Sequence, residues 1–150
     1  MRNETPQRAE ALFESGYYCA ESVLVAMAEA LGVDCEAIPR LATGLCSGIA
    51  RSCGTCGAVL GAILAVGLAL GRDRAEDSVE PAYTAVNAVT EAFLARYGSA
   101  NCLELTGCDL GTDKGQTWFH EKRQHETCGE YVETATRLAL DAIARQEGGA

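Results

Sequence analysis

Residues 51–71 read RSCGTCGAVLGAILAVGLALG, a Cys-x-x-Cys pair that runs straight into an uncharged apolar stretch. The uncharged run from Gly57 to Gly71 is shorter than the ~18–20 residues a bilayer-spanning helix needs, so it reads as a buried core helix. Gly57 and Gly61 stand four apart, as do Gly67 and Gly71, and Ala58, Ala62 and Ala65 add further small residues. Glycine costs ~1 kcal/mol relative to alanine inside a helix, so this thin helix is expected to serve close packing by neighbours, a homodimer partner among them.

Working outward, the other apolar residues also recur at helical spacing. Residues from about Pro6 to Ser15 give a polar first helix within segment 1–15, ended by Gly16. In CAESVLVAMAEAL, Cys19 to Leu31, the residues Val23, Leu24, Met27, Ala28 and Leu31 share one face, with Gly32 at the C-cap position. A short helix is expected after Asp34, broken near Pro39, followed by the Gly-rich connector ATGLCSGIARSCGTC. Beyond GRDRAEDS, Tyr83, Val86, Val89, Phe93 and Tyr97 recur at spacings of three and four in a helix from about Val79 to Tyr97, stopped by Gly98. NCLELTG predicts a short helical turn, Gln116 to Gln124 another helix, and TCGEYVETATRLALDAIARQ a last amphipathic one before a frayed tail at 146–150. No strand, repeat or low-complexity segment is evident. The pattern predicts an all-α fold: a compact bundle of about five to seven helices in one domain over 1–150, a usual domain size.

Composition narrows function. The chain carries a formal charge of −9, and its only basic knot is Lys122 and Arg123 flanked by His120 and His125. That argues against nucleic acid and anionic membranes as partners, and a solvated helix face explains the knot. The opening MRNETPQRAE lacks the charged-then-apolar layout of a secretory signal, which predicts a cytoplasmic chain with reduced thiols. In such a chain, eight cysteines point to metal or redox chemistry rather than to structural disulfides.

Cysteine placement is the strongest clue to chemistry. Cys19, Cys56, Cys102 and Cys128 each fall at the first turn of an expected helix, after the turning or capping residues Gly16, Thr55, Asn101 and Thr127. Free N–H groups and partial positive charge at a helix start favour thiolate, which is both nucleophile and metal ligand. Several such ends brought together would suit a bound cation, a cluster or a set of reactive thiols.

The order of these segments, with AESVL after Cys19, GLCSGIAR leading to TCGAVLGA, SANCLELTGCDLG and a late Cys128, resembles the C_GCAxxG_C_C family of redox-active proteins from about Gly16 to Val132. Related modules resemble the non-haem part of split-Soret cytochromes. The resemblance implies a helical cysteine-cluster domain with redox or metal chemistry, in which the family cysteines are Cys19, Cys56, Cys102 and Cys128, with Cys108 as a frequent companion. Read literally as GCAxxG, the family motif differs from TCGAVLG here, where Gly57 separates Cys56 from Ala58. Cys35, Cys46 and Cys53 are additional.

Three chemistries compete for these residues. An iron–sulfur cluster needs about four converging thiolates, and soft sulfur ligands select it over hard cations; it would take Cys19, Cys56, Cys102, Cys108 and Cys128 and transfer electrons with a redox partner protein. A thiol-disulfide oxidoreductase or sulfur-handling protein would use Cys53 and Cys56 as a catalytic dithiol, although no strand precedes the pair as in a βαβ redox fold. A zinc-stapled interaction domain ranks below both, because only one Cys-x-x-Cys knuckle is present. Copper storage would want cysteines down helix faces, and the absence of Cys-x-x-Cys-His excludes covalent haem c attachment.

His120 and His125, five apart, do not share one helical face and read as solvent-exposed. Trp118 and Phe119 read as core or interface anchors. Arg51, beside the cysteine loop, could offset thiolate charge. No GxSxG, HExxH or phosphate-binding loop occurs.

Overall fold

The computed structural model describes residues 2–149. Among them a 3-10 turn at Arg2–Glu4 precedes nine helical segments: α1 (Thr5–Glu14), α2 (Cys19–Leu31), α3 (Arg40–Thr43), α4 (Cys46–Arg51), α5 (Gly57–Leu70), α6 (Glu80–Tyr97), α7 (Cys102–Thr106), α8 (Asp113–Glu121) and α9 (Gln124–Gly148). The fold is all-α. The count exceeds the expected five to seven because short segments add to it: α3, α4 and α7 span only four, six and five residues, of which α7 was expected as the NCLELTG turn whereas α4 lies in what read as a connector. No helix among the described residues is long and apolar enough to cross a membrane.

The apolar segment forms the centre. α5 packs against α2, α6 and α9, and α1 closes over α2 and α9. Val23 and Met27 of α2, Val59 and Val66 of α5, Val89 and Phe93 of α6, and Val132 and Ile143 of α9 are all buried in one cluster. Each such side chain contributes about 1.5–3 kcal/mol on leaving water. The two glycine pairs of α5 differ in use. A Cβ at Gly57 or Gly61 would collide with α2, at Cys19 Sγ and at Ala20 O respectively, whereas Gly67 faces open space. The Gly57–Gly61 pair thus serves close packing within the chain, against α2.

α2 begins and ends as read from the sequence: the Tyr18 N–H donates to Glu21 Oε2 at 2.9 Å, and Gly32 takes the left-handed conformation (φ 68°). Other boundaries differ: α8 spans Asp113–Glu121, three residues ahead of the expected Gln116 to Gln124, and both ends of α9 shift. α9 starts at Gln124, after Arg123 in a left-handed conformation (φ 55°), so Cys128 lies in the second turn of that helix and not at its first. Its far end continues to Gly148, so residues 146–148 extend the helix where a frayed tail was expected. Ala150 of that expected tail, like Met1 of the expected N-terminal segment, lies outside the described residues.

The Gly-rich connector holds a local surprise. Ser47, Gly48, Ile49, Ala50 and Arg51 all have φ between 51° and 66°, making α4 a left-handed turn. Each non-glycine residue in that conformation costs about 1–2 kcal/mol. Compensating hydrogen bonds run from Ser52 Oγ to Ile49 O at 2.6 Å and from Gly54 N to Gly48 O at 2.8 Å. Strain of this kind concentrates at functional sites, and α4 lies against Cys102: a Cβ on Gly48 would meet Cys102 Cβ at 2.5 Å.

Candidate functional site

Two backbone segments are zipped together to set the thiols. Thr55 and Asn101 form an isolated antiparallel bridge, with Cys56 N donating to Ala100 O at 2.6 Å and Cys102 N to Gly54 O at 2.8 Å. Asn101 fixes the join twice, since its Nδ2 donates to Cys53 O at 2.7 Å while its Oδ1 accepts from Glu104 N as the N-cap of α7. Cys56 therefore sits at the N-cap of α5 beside Cys102 at the start of α7.

These two thiols, with Cys19 from the start of α2 and Cys128 from α9, line one cavity of about 220 Å³. Phe13, Leu105, Phe119 and Tyr131 supply its apolar walls, and Arg51, His120 and His125 contribute polar groups. Arg51 is exposed at the edge of this cavity, and among the described residues no carboxylate pairs with it.

The other cysteines stand apart from that wall. Cys108 is buried behind it, its thiol donating to Thr106 O at 3.3 Å, yet near enough for its charge to act on Cys102 and Cys128. Cys46 is buried, with its thiol toward Ala42 O at 3.5 Å and in contact with the Cys19 side chain. Cys53 Sγ donates to Asp109 Oδ1 at 3.3 Å, and the neighbouring thiol whose charge senses it is Cys102, not Cys56. Cys35 is exposed. Among the described residues, no three His, Cys, Asp or Glu side chains stand close enough to hold one metal ion as placed.

The helix-start argument for thiolate meets a stronger opposing effect. The N–H groups of Ala58 and Val59 do pull the Cys56 thiol down, but burial pushes it up further, to about 11. Burial, followed by the charges of Cys56, Cys102 and Cys108, pushes Cys128 up to about 12. Cys102 is raised chiefly by burial, Cys53 chiefly by its hydrogen bond to Asp109, and Cys46 far upward by its contact with Cys19 and then by burial. The metal-free protein thus holds these cysteines as neutral thiols.

Sequence reasoning missed the aromatic and imidazole side of the cavity. His120 lies in the last turn of α8 and His125 in the first turn of α9, with Lys122–Arg123 interrupting the helix between them. The five-residue spacing therefore measures no single helix; both histidines are exposed, as expected, and both also line the cavity. His125 stacks on Phe13 with centroids 4.3 Å apart and faces Glu14 Oε1 at 3.6 Å. Phe119 lines the cavity, whereas Trp118 is exposed with Lys122 Nζ 4.8 Å over its ring. A basic residue pair after a helical period, here Lys122–Arg123, was the available hint of a break.

A family model described as "Putative redox-active protein (C_GCAxxG_C_C)" matches residues 17–142, a span that contains all four cavity cysteines. Comparison with the curated proteins and with the solved structures gives no match.

Proposed function

The chain belongs to the C_GCAxxG_C_C family of redox-active proteins, and from that membership and the thiol-lined cavity we propose that it carries an iron–sulfur centre on Cys19, Cys56, Cys102 and Cys128 and passes electrons to a partner protein. The observation that carries this reading is the convergence of four cysteines from α2, α5, α7 and α9 on one apolar cavity.

The donor set fits such a group. Four thiols and no carboxylate line the space, and soft sulfur donors favour iron–sulfur, zinc or copper(I) over hard cations. As placed, no three potential ligands among the described residues stand close enough to hold one metal ion, so a zinc and a cluster would both need the thiols to draw together. Only one Cys-x-x-Cys knuckle is present, which ranks zinc below the cluster. When bound, such a centre supplies one-electron transfer at a potential set by net charge, hydrogen bonding and solvent exposure.

The surrounding residues have definite tasks. Each of the four thiols must release a proton on ligation, a step that burial opposes and bound metal drives. Arg51 offsets part of the resulting negative charge. Phe13, Leu105 and Tyr131 keep the space apolar, and His120 and His125 provide the polar side at which a partner would dock. Cys108 backs Cys102 and Cys128 without lining the cavity. The dithiol alternative at Cys53 and Cys56 gains no support from the placement of Cys53 on Asp109.

Iron and acid-labile sulfide, measured on protein purified without oxygen and after reconstitution, test the reading. Iron with matching sulfide, lost in Cys56→Ser and Cys102→Ser but kept in Cys35→Ser, is expected. Neither element in the wild type, or undiminished content in both cavity variants, would overturn it.

A further inference from the structure

Four cysteines lie outside the proposed ligand set, and they differ in surroundings. Cys35 is exposed, Cys53 is bound to Asp109, Cys108 is buried with its thiol on Thr106 O, and Cys46 is buried with its thiol against the Cys19 side chain. The missing side chain of Gly57 shows how close that approach is. The point where its Cβ would stand is 2.2 Å from Cys19 Sγ and 3.2 Å from Cys46 Cα, so the Cys19 sulfur can lie no farther from the Cys46 Cα than the sum of those distances. Both also pack into the same small cluster with Ala20, Leu24 and Ala42.

We propose that Cys19 and Cys46 form a dithiol couple that a low-molecular-weight disulfide, entering the cavity, oxidises to an intramolecular disulfide. The two sulfurs are unequal in access. Cys19 is half-buried and lines the cavity, whereas Cys46 is 3% exposed and does not. Cys19 is therefore the attacking thiol and Cys46 the resolving one.

Cys19 attacks one sulfur of the small disulfide; the protein–ligand S–S bond forms, the small disulfide's own S–S bond breaks, and one small thiol leaves. Cys46 then attacks the Cys19 sulfur, forming the Cys19–Cys46 bond, breaking the mixed disulfide and releasing the second small thiol. The two protons lost by the protein balance the two gained by the leaving thiolates, and two electrons pass from the protein to the small disulfide. Disulfide formation takes Cys19 out of the cavity ligand set. That consequence rests on the centre proposed above; the disulfide itself does not.

The test exposes the reduced, metal-free protein to bis(2-hydroxyethyl) disulfide and maps peptides without reduction. The wild type should lose both Cys19 and Cys46 to alkylation and yield a Cys19–Cys46 cross-linked peptide, whatever adduct the exposed Cys35 takes. Cys46→Ser, and Cys46→Ala in case the serine disturbs the core, should instead hold a stable hydroxyethyl-thiol adduct on Cys19, with circular dichroism confirming that each is folded. A wild type that stops at the adduct, leaves Cys19 unmodified, or links Cys19 to Cys56 or Cys128 overturns the proposal. Iron and sulfide uptake is measured separately on the fully reduced wild type. Failure there counts against the centre and leaves the disulfide standing, while uptake without the Cys19–Cys46 cross-link does the reverse.

Discussion

Replacing Gly57 by alanine adds one methyl group where the chain has no room for it. Its carbon would stand 2.2 Å from Cys19 Sγ, 3.1 Å from Leu45 O and 3.2 Å from Cys46 Cα, against ~3.5–4.0 Å for a comfortable carbon contact. Two of these three neighbours are backbone atoms and cannot rotate aside. Relief requires α5 to move from α2, or Cys19 to swing out of the cavity wall. Overpacking of this kind costs about 1–3 kcal/mol, and the helix-propensity gain of up to ~1 kcal/mol is small at the first residue of a helix. We expect Gly57→Ala to lose about 1–2 kcal/mol, or roughly 2–8 °C in Tm at this chain length. Gly67→Ala is the internal control: the same helix and the same substitution, but exposed and with nothing within 4 Å of the new carbon. It should gain about 0.5–1 kcal/mol. Guanidinium denaturation of the reduced, metal-free proteins reads both, and alkylation of Cys19 should be faster in Gly57→Ala. A neutral or stabilising Gly57→Ala, or a destabilising Gly67→Ala, would refute the packing of α5 on α2 described here.

Three further outcomes are expected. Because Cys56 is pushed up to about 11 and Cys128 up to about 12, against ~8.5 in an unfolded chain, the native state keeps protons that the unfolded state gives up. The stability these groups contribute is complete below pH ~8.5 and falls as pH rises through the folded values, at about 1.4 kcal/mol per pH unit for each thiol; denaturation of the metal-free protein at stepped pH should show that decline, and a flat profile contradicts it. Asn101→Ala removes both the α7 cap and the bond to Cys53 O, so it should cost about 1–2 kcal/mol and speed alkylation of Cys53 and Cys56; unchanged reactivity would mean that the zipped segments do not depend on it. Asp109→Asn removes the main cause of the raised Cys53 thiol, so the pH profile of its reaction with iodoacetamide should move to lower pH, and an unmoved profile assigns the shift elsewhere.

What the sequence displays is what local periodicity encodes. α2 follows from its apolar face and the glycine at its end, α5 from the length of its uncharged run, and Cys19, Cys56 and Cys102 from their place at helix starts. The left-handed turn at Cys46–Arg51 has no such signature, because Ser47, Ile49, Ala50 and Arg51 have no intrinsic preference for positive φ and are held there by tertiary contacts. The start of α9 was hidden for a related reason. Gln124 and His125 are neutral helix formers, while Thr127 resembles a cap, so the eye places the boundary beside Cys128 when the fold places it a turn earlier. Protonation was misjudged because capping residues are visible in a sequence and burial is not: at Cys56 both effects operate and burial dominates. The histidines show the same limit, since only the fold reveals that two rings on separate helices meet one cavity.

The central claim is that four particular thiols act as one ligand set, and mapping which thiols a bound centre protects tests it most directly. The reduced protein is loaded with ferrous iron and sulfide without oxygen, briefly alkylated, stripped of metal and analysed cysteine by cysteine beside an unloaded control. Loading should protect Cys19, Cys56, Cys102 and Cys128 together while Cys35 and Cys53 react as before. Equal alkylation of those four with and without loading, or protection centred on Cys53 instead, would contradict the account.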